Sequence, residues 1–118
     1  MNRARSYIFT TASTPADSAA AMAALEIVRS DEGDELRARL RHNVDVLRAG
    51  HPSPIVPVVL GDEQTALAAT ATLLERGFLV PAIRPPTVAP GTSRLRVALS
   101  AAHTPDQVSG LAEALRDL

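Results

Sequence analysis

A chain of 118 residues, 46% apolar and 21% charged, has the balance of one folded domain with a single core rather than of a disordered segment. A formal net charge of −1 leaves no electrostatic footprint for nucleic acid or an anionic membrane, and the absence of cysteine excludes disulfides, thiolate metal sites and cysteine nucleophiles. All 12 basic residues are arginine, so no side chain here can form a lysine Schiff base.

Met1-Asn2-Arg3-Ala4-Arg5 is basic, but no apolar run of leader length follows it and none of membrane-spanning length occurs later, so a soluble, cytoplasmic chain is expected. Thr14-Pro15 opens a first helix with a capping residue followed by proline, and Ala21, Ala24, Leu25 and Val28 recur at helical spacing. Asp31-Glu32-Gly33-Asp34 reads as an interruption, a solvated turn between helices, because the acidic run lacks the spacing of a calcium loop. A second helix then carries Leu36, Leu40, Val44 and Leu47, and Gly50 stops it.

After the rigid His51-Pro52-Ser53-Pro54 loop, Ile55 to Leu60 is a short β-rich apolar run, and Gly61-Asp62 ends it while capping the next helix. That helix runs to about Arg76, with Gly77 as terminator, and Phe78 to Ile83 reads as a second strand. Arg84 to Thr92 holds three prolines and a glycine, which forbid regular structure. Ser93 to Ser100 alternates, with Leu95, Val97 and Leu99 on one face and Arg94, Arg96 and Ala98 on the other. Thr104-Pro105-Asp106-Gln107 is a capping box, and Val108, Leu111, Leu115 and Leu118 give the last helix its apolar stripe. The order of elements predicts an α/β chain of the α+β kind, a single domain over residues 1–118 with a small, mainly antiparallel sheet and helices on one face.

Two places could carry chemistry. The stiff loop between strands would hold Arg84 and Thr87 in fixed positions, although a solvated connector has the same composition. Arg96, on a strand, could grip a carboxylate through two parallel hydrogen bonds, and Arg94 shares its face; a surface arginine paired with a nearby acid is the structural alternative. His42, His51 and His103 have no metal-ligand spacing, and His42 is expected on a helix surface.

Several segments in order resemble the C-terminal part of the α-oxoamine synthases: Tyr7-Ile8-Phe9-Thr10-Thr11, Arg29-Ser30-Asp31-Glu32-Gly33-Asp34, Pro54-Ile55-Val56-Pro57 and above all Ile83-Arg84-Pro85-Pro86-Thr87-Val88. The last continues into Pro90-Gly91-Thr92-Ser93-Arg94-Leu95-Arg96-Val97 and Ala101-Ala102-His103-Thr104, so the resemblance covers almost the whole chain. It implies a homodimeric enzyme of pyridoxal-phosphate fold type I that condenses an amino acid with an acyl thioester and releases carbon dioxide. The wording of the loop is most similar to the branch serving biotin biosynthesis, whose substrates are L-alanine and pimeloyl-CoA or pimeloyl carrier protein.

Carried over by motif, the resemblance implies that Arg96 binds the amino-acid carboxylate and that Thr10 and Thr11 reach the cofactor phosphate of the neighbouring subunit. It further implies that Arg84 and Thr87 line the acyl-substrate entrance. The family's lysine falls just before Tyr7, where this chain has only Met1 to Ser6, so no catalytic residue is expected here and the chain is expected to be inactive alone. Its expected partner is a large, lysine-bearing, cofactor-binding domain. Three readings stay open: a fragment or split piece of such a synthase, or of a relative such as glycine C-acetyltransferase; a non-catalytic module that binds a small carboxylate; and a remnant with no function of its own.

Overall fold

A computed structural model describes Arg3 and residues 13–118, and the chain divides into two compact units, 1–35 and 36–118. In the first unit, α1 (Pro15–Val28) begins where the sequence places it: the Thr14 hydroxyl accepts the Asp17 N–H at 3.1 Å, and proline occupies the first turn. None of its residues is buried, so the stripe of Ala21, Ala24, Leu25 and Val28 lies open.

The next helix, α2 (Asp31–Leu47), corrects the reading of Asp31 to Asp34 as an interruption. The break is only Arg29-Ser30, and the acidic run forms the helix's first turn, where negative charge complements the helix dipole. The turn also has its own cap, since the Ser30 hydroxyl donates to the Ile27 carbonyl at 2.7 Å and accepts the Gly33 N–H at 3.4 Å.

The second unit is built on a three-stranded antiparallel sheet of order β1-β3-β2, with β1 Ile55–Gly61, β2 Ala82–Ile83 and β3 Ser93–Ala98. Between β1 and β2 lies α3 (Glu63–Glu75), capped by the Asp62 carboxylate, which accepts the Thr65 N–H at 2.9 Å. After β3 comes α4 (Pro105–Arg116), whose Thr104 and Gln107 form the expected capping box. Gly77 ends α3 with φ 87°, a left-handed conformation that residues with a Cβ rarely adopt.

The second strand is much shorter than the run from Phe78 to Ile83 predicts. Pro81 accepts the Arg96 N–H at 3.0 Å but has no N–H to return, so the ladder cannot be completed beyond it. Upstream, Leu79 faces outward and is 82% exposed, whereas Val80 turns into the core.

That core is Val44 of α2, Ala69 and Leu73 of α3, Leu111 and Ala114 of α4, and Val56, Val80, Leu95 and Val97 from the sheet and its approach. The residues that β1 and β3 contribute to it, Val56, Leu95 and Val97, all lie on one face, so the helices cover that face and the other stays open.

Candidate functional site

As the central strand, β3 is paired on both edges and so gives its side chains the most fixed backbone in the sheet. Strand alternation sends Ser93, Leu95 and Val97 toward the helices and Arg94, Arg96 and Ala98 to the open face. The neighbours of those arginines on that face follow from the register: Arg96 lies opposite Pro57, and Arg94 opposite Val59 on one side and Ile83 on the other.

The two arginines differ. Arg94 is half-buried, and its Nε donates to the Thr92 carbonyl at 2.9 Å, which ties the side chain to the end of the proline-rich loop. Arg96 is exposed, and among the described residues its guanidinium has no hydrogen-bond or ion-pair partner. A cation left unpaired on a rigid strand retains all its donors for a ligand.

Arg84 does not join them. It follows β2, and its Nη1 meets Glu63 Oε1 at the start of α3 at 2.6 Å. Thr87 is exposed, and its N–H donates to the Arg84 carbonyl at 3.0 Å, closing a turn; farther along, the Thr92 hydroxyl donates to the Ala89 carbonyl at 2.7 Å. The loop is thus held by its own hydrogen bonds, with Arg84 pinned at one end and Arg94 bonded to the other. Thr10 and Thr11 lie outside the described residues.

Behind β3, a cavity of about 380 Å³ is lined by Phe78, Leu79, Val97, His103, Gln107 and Leu111 among others, and Arg84, Thr87, Arg94 and Arg96 are not in its lining. Nearby, Asn43 is only 2% exposed, and its Nδ2 donates to the carbonyls of Ser100 and His103 at 3.1 and 3.3 Å. Sequence reasoning passed over Asn43; the signal available was an amide set beside Val44 in the apolar stripe of α2. No group of three or more His, Asp or Glu side chains among the described residues could hold a metal ion.

Among the described residues, two carboxyl groups are shifted from their ordinary value. The Asp62 carboxyl is held below its ordinary value, chiefly by the Thr65 backbone N–H, and Asp45 is lowered by the Gly50 N–H and then by the Arg41 guanidinium. Both serve helix ends, and neither faces Arg96.

The 8-amino-7-oxononanoate synthase of Methylorubrum populi is 54% identical over 120 residues, which take in 99% of this chain and 31% of that protein. The solved serine palmitoyltransferase of Sphingomonas wittichii superposes with a TM-score of 0.80 at 30% identity, covering 98% of this chain and 32% of that one. The 8-amino-7-oxononanoate synthase of Francisella tularensis does so with a TM-score of 0.76 at 28% identity, covering 98% and 36%. The chain therefore spans about a third of the length of the proteins it matches. Residues 1–115 match the family described as aminotransferase class I and II, a range that takes in the loop, the sheet and all but the last residue of α4, and the chain belongs to that family.

Proposed function

We propose that this chain supplies the C-terminal, carboxylate-gripping part of an 8-amino-7-oxononanoate synthase and is inactive without the remaining two thirds of such an enzyme. The observation that carries the reading is Arg96: a guanidinium without a partner among the described residues, on the central strand of a sheet whose face is open. The close relatives bearing that name support the choice of reaction.

The reaction would join L-alanine to a pimeloyl thioester, releasing carbon dioxide and the free thiol. Pyridoxal phosphate would supply the electron sink that the amino acid's α-carbon needs. The chain fits that cofactor only as a contributor, because it has no lysine to hold it covalently; Thr10 and Thr11 would contact its phosphate across a homodimer interface. Arg96 would bind the alanine carboxylate through two parallel N–H···O bonds, fixing the α-carbon's orientation until that carboxylate leaves. Arg84 and Thr87, on a loop stiffened by proline and by its own turn bonds, would border the path of the acyl chain. The setting would be the cytoplasm, and no described helix is long and apolar enough to cross a membrane.

The test replaces Arg96 with alanine in an assembled enzyme in which this chain is joined by a lysine-bearing partner. Losing a hydrogen bond between charged groups should raise the KM for alanine by about one to two powers of ten while cofactor binding changes little. An unchanged KM and turnover would remove Arg96 from the site.

A further inference from the structure

In the order β1-β3-β2, β1 is paired on one side only, and from Ile55 to Gly61 it contains no charged residue. An apolar edge strand of this kind is a template for pairing with another chain, and charged side chains are the usual protection. Ile55 and Val59, 49% and 59% exposed, flank this edge in the open. The ladder fixes where each backbone group of β1 points. The Leu99 N–H donates to the Pro54 carbonyl at 2.9 Å, and Ile55 lies opposite Ala98. Antiparallel pairs alternate between bonded and unbonded, so Pro54, Val56 and Val58 turn their backbone groups toward β3, whereas Ile55, Pro57 and Val59 turn theirs outward.

Two of these three outward positions are closed to a newcomer. The Ile55 N–H donates to Ser53 Oγ at 3.1 Å, and the Ile55 carbonyl lies 3.0 Å from His51 Nε2, which must be the donor because a carbonyl only accepts. Pro57 has no N–H to offer. The loop that supplies the caps is anchored to α2: the Gly50 N–H donates to Asp45 Oδ1 at 2.9 Å, and the Arg41 guanidinium bonds both the Asp45 carboxylate and the His51 carbonyl. These closures fall where a second copy would need open groups. Two β1 strands laid edge to edge, antiparallel and centred on Pro57, would form the pairs Ile55 with Val59, Pro57 with Pro57, and Val59 with Ile55. The outer pairs require the groups of Ile55, and the middle pair lacks both N–H donors. We propose that His51, Ser53 and Pro57 together form an autoinhibitory contact that keeps β1 from adding to the β1 strand of a second copy of this chain.

The experiment compares the 118-residue chain with Pro57→Val and with the double variant His51→Ala/Ser53→Ala, by sedimentation equilibrium and by amide hydrogen exchange. Pro57→Val supplies one N–H per chain, and the two hydrogen bonds gained across a symmetric pair should tighten dimerisation about tenfold or more. The double variant frees Ile55 for the outer pairs and should tighten it as well. In both, the Val59 amide should exchange more slowly as concentration rises, and mixtures of isotope-labelled and unlabelled chains should show contacts between β1 strands of different molecules. In the wild-type chain, association through exposed apolar side chains should leave Val59 exchange independent of concentration. Protection of the wild-type Val59 amide on concentrating would mean that the edge is not closed, and variants that dimerise no more tightly than wild type would mean that these three residues are not what closes it. Either result overturns the proposal. Valine suits a strand, amide dispersion like that of the wild type shows that a variant folds, and the two variants are independent tests.

Discussion

Gly33 occupies the first turn of α2 at a point where a side chain has no room. A Cβ there would run into the carbonyl oxygens of Ile27 and Val28 at the end of α1, so the close passage of the two backbones requires glycine for space rather than for its φ. Gly33→Ala should therefore destabilise the 1–35 unit by about 1–3 kcal/mol, the range typical of overpacking, despite alanine's better helix propensity. Hydrogen exchange of α1 and early α2 amides would show it as faster opening, and unchanged protection would mean that the backbones part easily. This residue also shows where sequence reading stops. Glycine amid acidic residues has the composition of a turn, and only the position of the preceding helix reveals that it is a contact. Arg96 is the opposite case, because its face follows from alternation with Leu95 and Val97 alone, whereas its lack of a described partner had to be seen in three dimensions.

Among the elements, the helix starts were the most legible, because a cap is a local hydrogen bond written in a few consecutive residues. Thr14, Asp62 and Thr104 each accept the N–H three residues on, as their sequences foretold. Strand length was not legible from apolar content. The run from Phe78 to Ile83 is apolar enough for a full strand, yet pairing depends on the N–H that Pro81 lacks and on which residues β3 offers opposite. The caps carry a prediction for pH. Asp62 titrates below its ordinary value of 3.8 because its carboxylate accepts the Thr65 N–H, so its stabilisation is fully present above that value and is lost as pH falls through the lower folded-state value. Asp45, lowered by Gly50 and Arg41, acts in the same direction. The thermal midpoint of the chain should thus drop on acidification below about pH 4, and Asp62→Asn should make that drop shallower. An identical acid limb in the variant would show that the Asp62 carboxylate is not linked to folding.

For the whole molecule, the feature that matters is how much apolar surface stays open. In the first unit Met22, Leu25 and Val28 are 64%, 58% and 54% exposed on a helix with no buried residue, and in the second Leu79, Ile55 and Val59 are likewise exposed. Surface of this kind ordinarily marks an interface. The isolated chain should bind an apolar fluorescent dye and self-associate as concentration rises, by light scattering or sedimentation, and both effects should fall when a large-domain partner is added. A monomer that binds no dye would favour an independent binding module. The central strand has a further consequence, for how such a chain can change over generations. Along β3, odd-numbered residues hold up the fold and even-numbered arginines face outward, so the two kinds of constraint are interleaved residue by residue yet touch different surroundings. Point substitutions at one parity can alter ligand preference without disturbing the other. A single-residue insertion or deletion in the strand exchanges the two sets at a stroke, burying arginine and exposing leucine. A change in the length of this strand is therefore costlier than a substitution at one of its outward-facing positions.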